Sequence, residues 1–412
     1  MKANAVAPIL AELAIFLLIF TPVSRLWAGS KYTVLHAFTG ASDGGTPSSA
    51  DVLLDNKGRV YGATTGGGAN RLGAVYRLSR LADGGWNEVV LYSFTGHSDG
   101  YSPNSGLVSD VKGNLYGTAV GGAQGKALAY ELRPGSRGWT LTALYDGGAG
   151  PGVILDSADN LYGGMGKGQF GGGAISELIH SSKGWTLKTL YSFCDPNCGY
   201  GEGLYAPLTW DAAGNLYGTT FFGGNGPPKC PGSLGCGVAF QMTPNSDGTW
   251  KYHVLHRFAA FPNDGQYPDG GLVVDAAGNA YGVTAYGGVH GNGTVFKLTP
   301  ASGGQWKQTV LYDFSNCANG CFPGTTLVFD KAGDLYGVGS GGLADCQGYT
   351  CGLVFKLAPQ AGGKWKYSVV HKFTGTDGGF PNGVIIDDKG NLFGTTQAFG
   401  TFGYGVAFEI TP

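Results

Sequence analysis

The segment Asp330-Lys-Ala-Gly-Asp-Leu-Tyr-Gly337 returns with small changes from one end of the chain to the other, and no other feature restricts the fold as strongly. Its seven copies begin at Asp55, Asp110, Asp156, Asp211, Asp275, Asp330 and Asp387, with gaps of 55, 46, 55, 64, 55 and 57 residues. A period of that length points to a propeller or a solenoid. Each copy reads as a hairpin: apolar residues before the Asp, a polar turn containing Gly, then Asn-Leu-Tyr-Gly-Thr-Thr or a relative of it.

Two further segments recur with the hairpin. One is Gly293-Thr-Val-Phe-Lys-Leu-Thr-Pro300, with relatives starting at Gly73, Lys126, Gly173, Gly237, Gly352 and Gly405, and it alternates apolar and polar residues as a half-buried strand does. The other is Trp306-Lys-Gln-Thr-Val-Leu-Tyr-Asp-Phe314, with relatives at Trp86, Trp139, Trp185, Trp250 and Trp365; Lys31-Tyr-Thr-Val-Leu-His-Ala-Phe38 is a copy without the Trp. Four short strands per unit, joined by Gly, Asn, Asp and Pro turns, predict an antiparallel blade, and seven units predict an all-β, seven-bladed β-propeller. The units are out of phase with the termini. Residues 32–38 form an outer strand with no blade before it, and residues 406–410 a third strand with no outer strand after it. Pairing the two completes the seventh blade and leaves no open sheet edge. A solenoid would need caps, and no cap segment is present.

The Gly-Asn-Leu-Tyr-Gly-Thr-Thr, Gly-Gly, Gly-Thr-Val-Phe-Lys-Leu-Thr-Pro and Trp-to-Leu-Tyr-Xaa-Phe elements resemble the GloVer (Gloeo-Verruco) tandem repeat of bacterial exported proteins, over nearly all of residues 31–412. The resemblance implies a β-propeller-like repeat architecture and export, and it carries no activity. Some members have a C-terminal surface anchor; this sequence stops at Ile410-Thr-Pro412, so that kind of anchoring is not expected here.

Composition narrows the partners. Glycine, at 77 of 412 residues, is far above the usual ~7%, yet 13% aromatic residues provide ample surface to bury, which argues against disorder. Charged residues make up 13% and the net charge is -2, so there is no phosphate-binding basic surface and no nucleic-acid partner is expected. Lys2, the apolar run over residues 9–20 and Thr21-Pro-Val-Ser-Arg-Leu-Trp-Ala28 read as a secretory signal ending at Ala28. Residues 1–28 are then a signal peptide and residues 29–412 one propeller domain. Glu12 and the bulky Leu26 leave an uncleaved anchor as the alternative, although the run is short for a spanning helix. After signal removal the expected product is a monomer without a membrane span, secreted, periplasmic or on the cell surface. Cys194/Cys198, Cys230/Cys236, Cys317/Cys321 and Cys346/Cys351 read as disulfide candidates in an exported chain. Two groups of four thiolates could instead bind zinc, and the pairing is open.

The loops from each outer strand to the next inner strand share one face with the loops between second and third strands, and any chemistry is expected there. The candidate ligand-binding residues on that face are Asp43, His97, Asp99, Phe222, Asp264, Tyr267, His290 and Asp377. A ring of Asp could bind a cation or sugar hydroxyls; the competing explanation is that Asp-Gly turns hydrogen-bond their own backbone. Strands follow the Gly-Gly pairs, so these are not phosphate loops, and no cofactor is expected. The repeated Asp lacks the spacing and closing Glu of a calcium loop. His36, His256 and His371 occupy the place of Tyr92, Tyr191 and Tyr312 and are expected to pack blades. His97 and His290 could act as acid or base, but there is no nucleophile elbow or paired-His motif, and no catalytic residue or metal ligand is assigned. Tyr101, Phe221, Phe222, Tyr267 and Tyr286 could stack on sugars or cover the blade ends. The function expected first is an exported binding module for carbohydrate or another envelope component. A lyase or hydrolase acting on a polysaccharide or lactone, and a structural cell-surface protein, are the alternatives, since propellers host all three.

Overall fold

The computed structural model describes residues 29–48, 51–194, 201–224, 235–259, 264–342 and 344–412. Strands dominate them, with three short 3-10 turns. Blade 1 runs outward from an inner strand in two pieces, Gly45–Pro47 and Leu53–Leu54, through Val60–Gly66 and Ala74–Arg80 to the outer strand Trp86–Ser93. Blades 2 to 6 repeat that order over residues 101–145, 149–192, 202–257, 265–313 and 321–372. Blade 7 comprises Gly379–Ile386, Leu392–Ala398 and Val406–Thr411, with Lys31–Ala37 as its outer strand. Lys31 lies opposite Thr411 and Ala37 opposite Val406, antiparallel. The ring is closed by the two ends of the domain, as the phase of the repeat predicts. Arg80 of blade 1 ties the seam with 3.1 and 2.8 Å bonds to the two carboxylate oxygens of Glu409.

Each residue of the repeated motif has a local task. In blade 4, Asp211 Oδ1 accepts the Ala213 and Asn215 backbone N–H groups at 2.9 and 2.8 Å. Its Oδ2 accepts Asn215 Nδ2 at 2.7 Å and the Tyr217 hydroxyl at 3.1 Å. Gly214 takes φ 81 at the tight position of the turn, which blade 3 fills with Asp159 at φ 63. The motif is therefore a hairpin whose turn is closed by its own side chains. The Gly after the Tyr admits the next side chain: a Cβ on Gly218 would sit 2.6 Å from Phe240 Cζ and 2.8 Å from Leu208 Cδ2.

Between blades, two devices recur. The Phe after six of the seven outer strands meets the aromatic ring on the third strand of the next blade, edge to face: Phe38–Tyr76 at 5.0 Å, Phe94–Tyr130 at 5.5 Å, Phe193–Phe240 at 6.0 Å, Phe258–Phe296 at 5.1 Å, Phe314–Phe355 at 5.5 Å and Phe373–Phe408 at 5.3 Å. At the seam of blades 2 and 3 both partners are missing: Gly147 stands where the Phe would follow the outer strand, and Ser176 where the third-strand ring would be. The second device is a backbone clamp at the start of the inner strand. Thr46, Ser102, Gly203, Tyr267, Phe322 and Phe380 donate their N–H to the preceding blade at 2.7–2.9 Å, and all six have φ between 44 and 62. The Pro that follows five of them fits over the Gly opening the neighbour's third strand; a Cβ on Gly293 would come within 2.8 Å of Pro323 Cδ.

Cys317–Cys321 and Cys346–Cys351 are disulfides between sequence neighbours. Cys194 and Cys236 are also disulfide-bonded, whereas Cys198 and Cys230 lie outside the described residues, as does the whole 1–28 segment. No helix among the described residues is long and apolar enough to cross a membrane.

Candidate ligand-binding face and axial chamber

The four loop aspartates cap their own turns. Asp43 accepts His36 Nε2 at 3.0 Å and the Thr39 N–H at 2.9 Å. Asp99 accepts the Tyr92 hydroxyl at 2.9 Å and the Thr95 N–H at 2.7 Å. Asp264 accepts His256 Nε2 at 2.9 Å and the Ala259 N–H at 3.0 Å; Asp377 accepts His371 Nε2 at 2.9 Å and the Thr374 N–H at 2.8 Å. The histidines and tyrosines on the outer strands thus steady the loops that follow them. Burial works against the charges of Asp43, Asp99 and Asp377, but these hydrogen bonds outweigh it and hold all three carboxyls below the ordinary range. His97 contacts Thr95 Oγ1 at 3.2 Å and His290 contacts Asp313 Oδ1 at 3.0 Å, both exposed. None of these loop residues lines the chamber on the propeller axis.

Phe222 and Tyr267 do come together, within a larger arc of rings. Tyr205 meets Phe221 at 5.0 Å, Phe221 stacks on Tyr267 at 4.9 Å, Tyr267 meets Tyr286 at 6.0 Å and Tyr286 meets Phe322 at 5.1 Å. Phe222 packs beside Phe221 and Tyr267 at 4.9 and 5.9 Å. The arc crosses blades 4, 5 and 6 on the loop face, and its rings stay open to solvent: Tyr205 is 50% exposed, Tyr286 46% and Phe322 37%. Tyr101, 40% exposed, lies apart on blade 2.

One end of the arc, Tyr205, also lines the axial chamber. That cavity of about 210 Å³ takes residues from all seven blades, among them Asp51, Asn104, Pro151, Tyr205, Asp269, Thr325 and Asn382. They fall where most inner strands break into two pieces, because there the chain leaves the ladder and turns to the axis. No Lys, Arg or His is among the lining residues. The Oδ1 of Asp51 and the Oγ1 of Thr325 are enclosed and have no hydrogen-bond partner. Burial pushes the Asp51 carboxyl up to about 7 and that of Asp269 up to about 6. Sequence reading missed both, although for Asp51 a signal exists. Four residues before the repeated Asp, blades 2, 3, 5 and 7 have Gly106, Gly152, Gly271 and Gly383, and blade 1 has Asp51.

A groove of about 420 Å³ at the rim between blades 7 and 1 is larger and carries Lys31, Lys57, Arg80 and Lys389. It draws on that one seam alone, with Asp387 and Glu409 interleaved among the cations and Arg80 already paired with Glu409. The axial chamber, where all blades converge beside the aromatic arc, is the better-built site.

Fold and site define a seven-bladed β-propeller with a loop-face aromatic arc that opens on an axial chamber. Residues 229–412 match the Gloeobacter/Verrucomicrobia repeat family, and blades 1 to 3 follow the same plan. Among solved structures, the chain is similar to an ancestral GH74 enzyme, with 12% identity and a TM-score of 0.53 over 89% of this chain and 51% of that one. It is also similar to a gluconolactonase from Xanthomonas campestris, with 16% identity and a TM-score of 0.37 over 72% of this chain and 88% of that one. At these identities the likeness is one of fold. No curated protein sequence matches the chain.

Proposed function

We propose that the protein is an exported β-propeller binding module that recognises carbohydrate, as a free glycan or as part of an envelope component, on its loop face. The arc of half-open rings from Tyr205 to Phe322 carries this reading. Flat aromatic faces bind the C–H face of a sugar ring while polar groups nearby take its hydroxyls, and the polar chamber lies directly beside Tyr205. The backbone adds an argument. The clamp position is left-handed in six blades, where Gly203, Ser102 and Thr46 serve it with small side chains, yet blades 5, 6 and 7 hold Tyr267, Phe322 and Phe380 there. Bulky side chains with positive φ are strained. The clamp itself needs only the N–H, and the rings of Tyr267 and Phe322 go on to build the arc. Closed disulfides, with no free cysteine among the described residues, support the export part of the reading.

A glycan array followed by titration calorimetry tests this. Tyr267→Gly is expected to keep or raise the melting temperature and to weaken glycan binding at least tenfold; undiminished binding, or no glycan bound by the wild type, removes the reading.

A hydrolase or lyase acting on a polysaccharide or lactone is the second reading, favoured by one observation: two carboxyls with near-neutral pKa in one cavity can exchange protons. Turnover on a polysaccharide and lactone panel that disappears in Asp51→Asn would establish it over simple binding.

A further inference from the structure

We propose that the axial chamber is the subsite for a protonated amine, so that the saccharide favoured by this face is one bearing a free amino group. The proposal rests on the saccharide reading above for the remainder of the ligand.

The chamber is built to accept hydrogen bonds and positive charge. Its two carboxyls, Asp51 and Asp269, have no basic side chain beside them in the lining. Asp51 Oδ1 and Thr325 Oγ1 are unpartnered. Both side chains border Gly383: a Cβ there would run into the Asp51 carboxyl and lie 3.8 Å from Thr325 Cβ. Asp269 reaches over blade 6 in the same way, its Oδ2 3.1 Å from where a Cβ on Gly324 would stand. Each acid therefore leans across a seam onto a glycine of the neighbouring blade. An uncompensated carboxylate in such a place is costly, and a cation offsets the cost.

The kind of cation follows from size and ligand count. The cavity of about 210 Å³ exceeds many times over the ~10–15 Å³ that one water needs, so it suits a group attached to a larger molecule. Among the described residues no three His, Cys, Asp or Glu gather as a metal site would require. An ammonium group brings three donors, matching two carboxyls and a hydroxyl. Tyr205 lines the chamber and also begins the arc that takes the sugar, so one ligand can reach both.

The test is calorimetric titration at neutral pH with the trimers of glucosamine, N-acetylglucosamine and glucose, and with butylamine, on the wild type, Asp51→Asn, Asp269→Asn and Phe222→Ala. The glucosamine trimer is expected to bind at least tenfold more tightly than the other two. Each Asn variant, which keeps the side-chain volume and is checked for folding by thermal melting, is expected to lose at least fivefold of that preference. Phe222→Ala is expected to weaken all three trimers alike. Equal binding of the three trimers overturns the amine subsite and leaves the saccharide reading standing. Butylamine binding without any trimer binding overturns the saccharide reading and keeps a cation site. Silence from every probe overturns both. A melting temperature raised by calcium or magnesium chloride only when Asp51 is intact replaces the amine by a metal ion.

Discussion

At the scale of single residues, the buried hydroxyls of Tyr76 and Tyr130 stand out, because neither has a hydrogen-bond partner. Blades 4 to 7 put Phe240, Phe296, Phe355 and Phe408 at the same place. An unsatisfied buried hydroxyl costs ~1–3 kcal/mol. Tyr76→Phe and Tyr130→Phe are each expected to raise stability by about that amount in chemical denaturation, without changing the slope of the transition. Asp51 behaves in the opposite sense to the loop aspartates. Its carboxyl holds a proton to higher pH in the folded state than in the unfolded chain, so its contribution is fully present below pH ~4 and is lost as pH rises toward about 7. Asp51→Asn is expected to stabilise the protein by roughly 1–3 kcal/mol at pH 8 and by little at pH 4. Melting curves across that range check it. Asp43, Asp99 and Asp377, whose pKa values are lowered, contribute above their unfolded values and lose that contribution as pH falls through their depressed ones.

At the scale of strands and turns, the repeated hairpin was legible because its residues bond to one another within a few positions, so a turn motif in the sequence is a turn in space. Overpacking checks the accompanying glycine: Gly218→Leu forces the side chain onto Phe240 and Leu208 and is expected to cost ~1–3 kcal/mol or more. Phe222 and Tyr267 were legible as loop aromatics for the same local reason. Tyr205 and Phe322 were not, since their place in the arc depends on which blade ends stand side by side. Asp51 and Asp269 were hidden for a related cause. Asp51 stands where four other blades have Gly, a break in the period that marks the position but not its chemistry; Asp269 sits where no one residue recurs through the blades, and burial at the axis exists only once all blades have assembled.

At the scale of the whole ring, seams should open in an order set by what joins them. Six seams share a ring-on-ring contact, and the one between blades 2 and 3 has the hydroxyl of Ser176 turned to Met165 O instead. Aromatic pairs contribute ~0.5–1.5 kcal/mol beyond the area they bury. Amides of residues 161–165 and 174–178 are therefore expected to exchange with deuterium sooner than those of the corresponding strands in blade 5. Uniform exchange around the circle would contradict this order.

Lys31–Ala37 is synthesised long before its hydrogen-bonding mate Val406–Thr411, with the six other blades between them. The circle therefore cannot lock blade by blade during translation. Until that mate is made, six blades stand beside one bare edge, and such long-range pairing is slow. Any delay at that step prolongs the exposure of the bare edge to other copies, so yield during production should depend on protein concentration more steeply than the stability of the finished molecule would suggest.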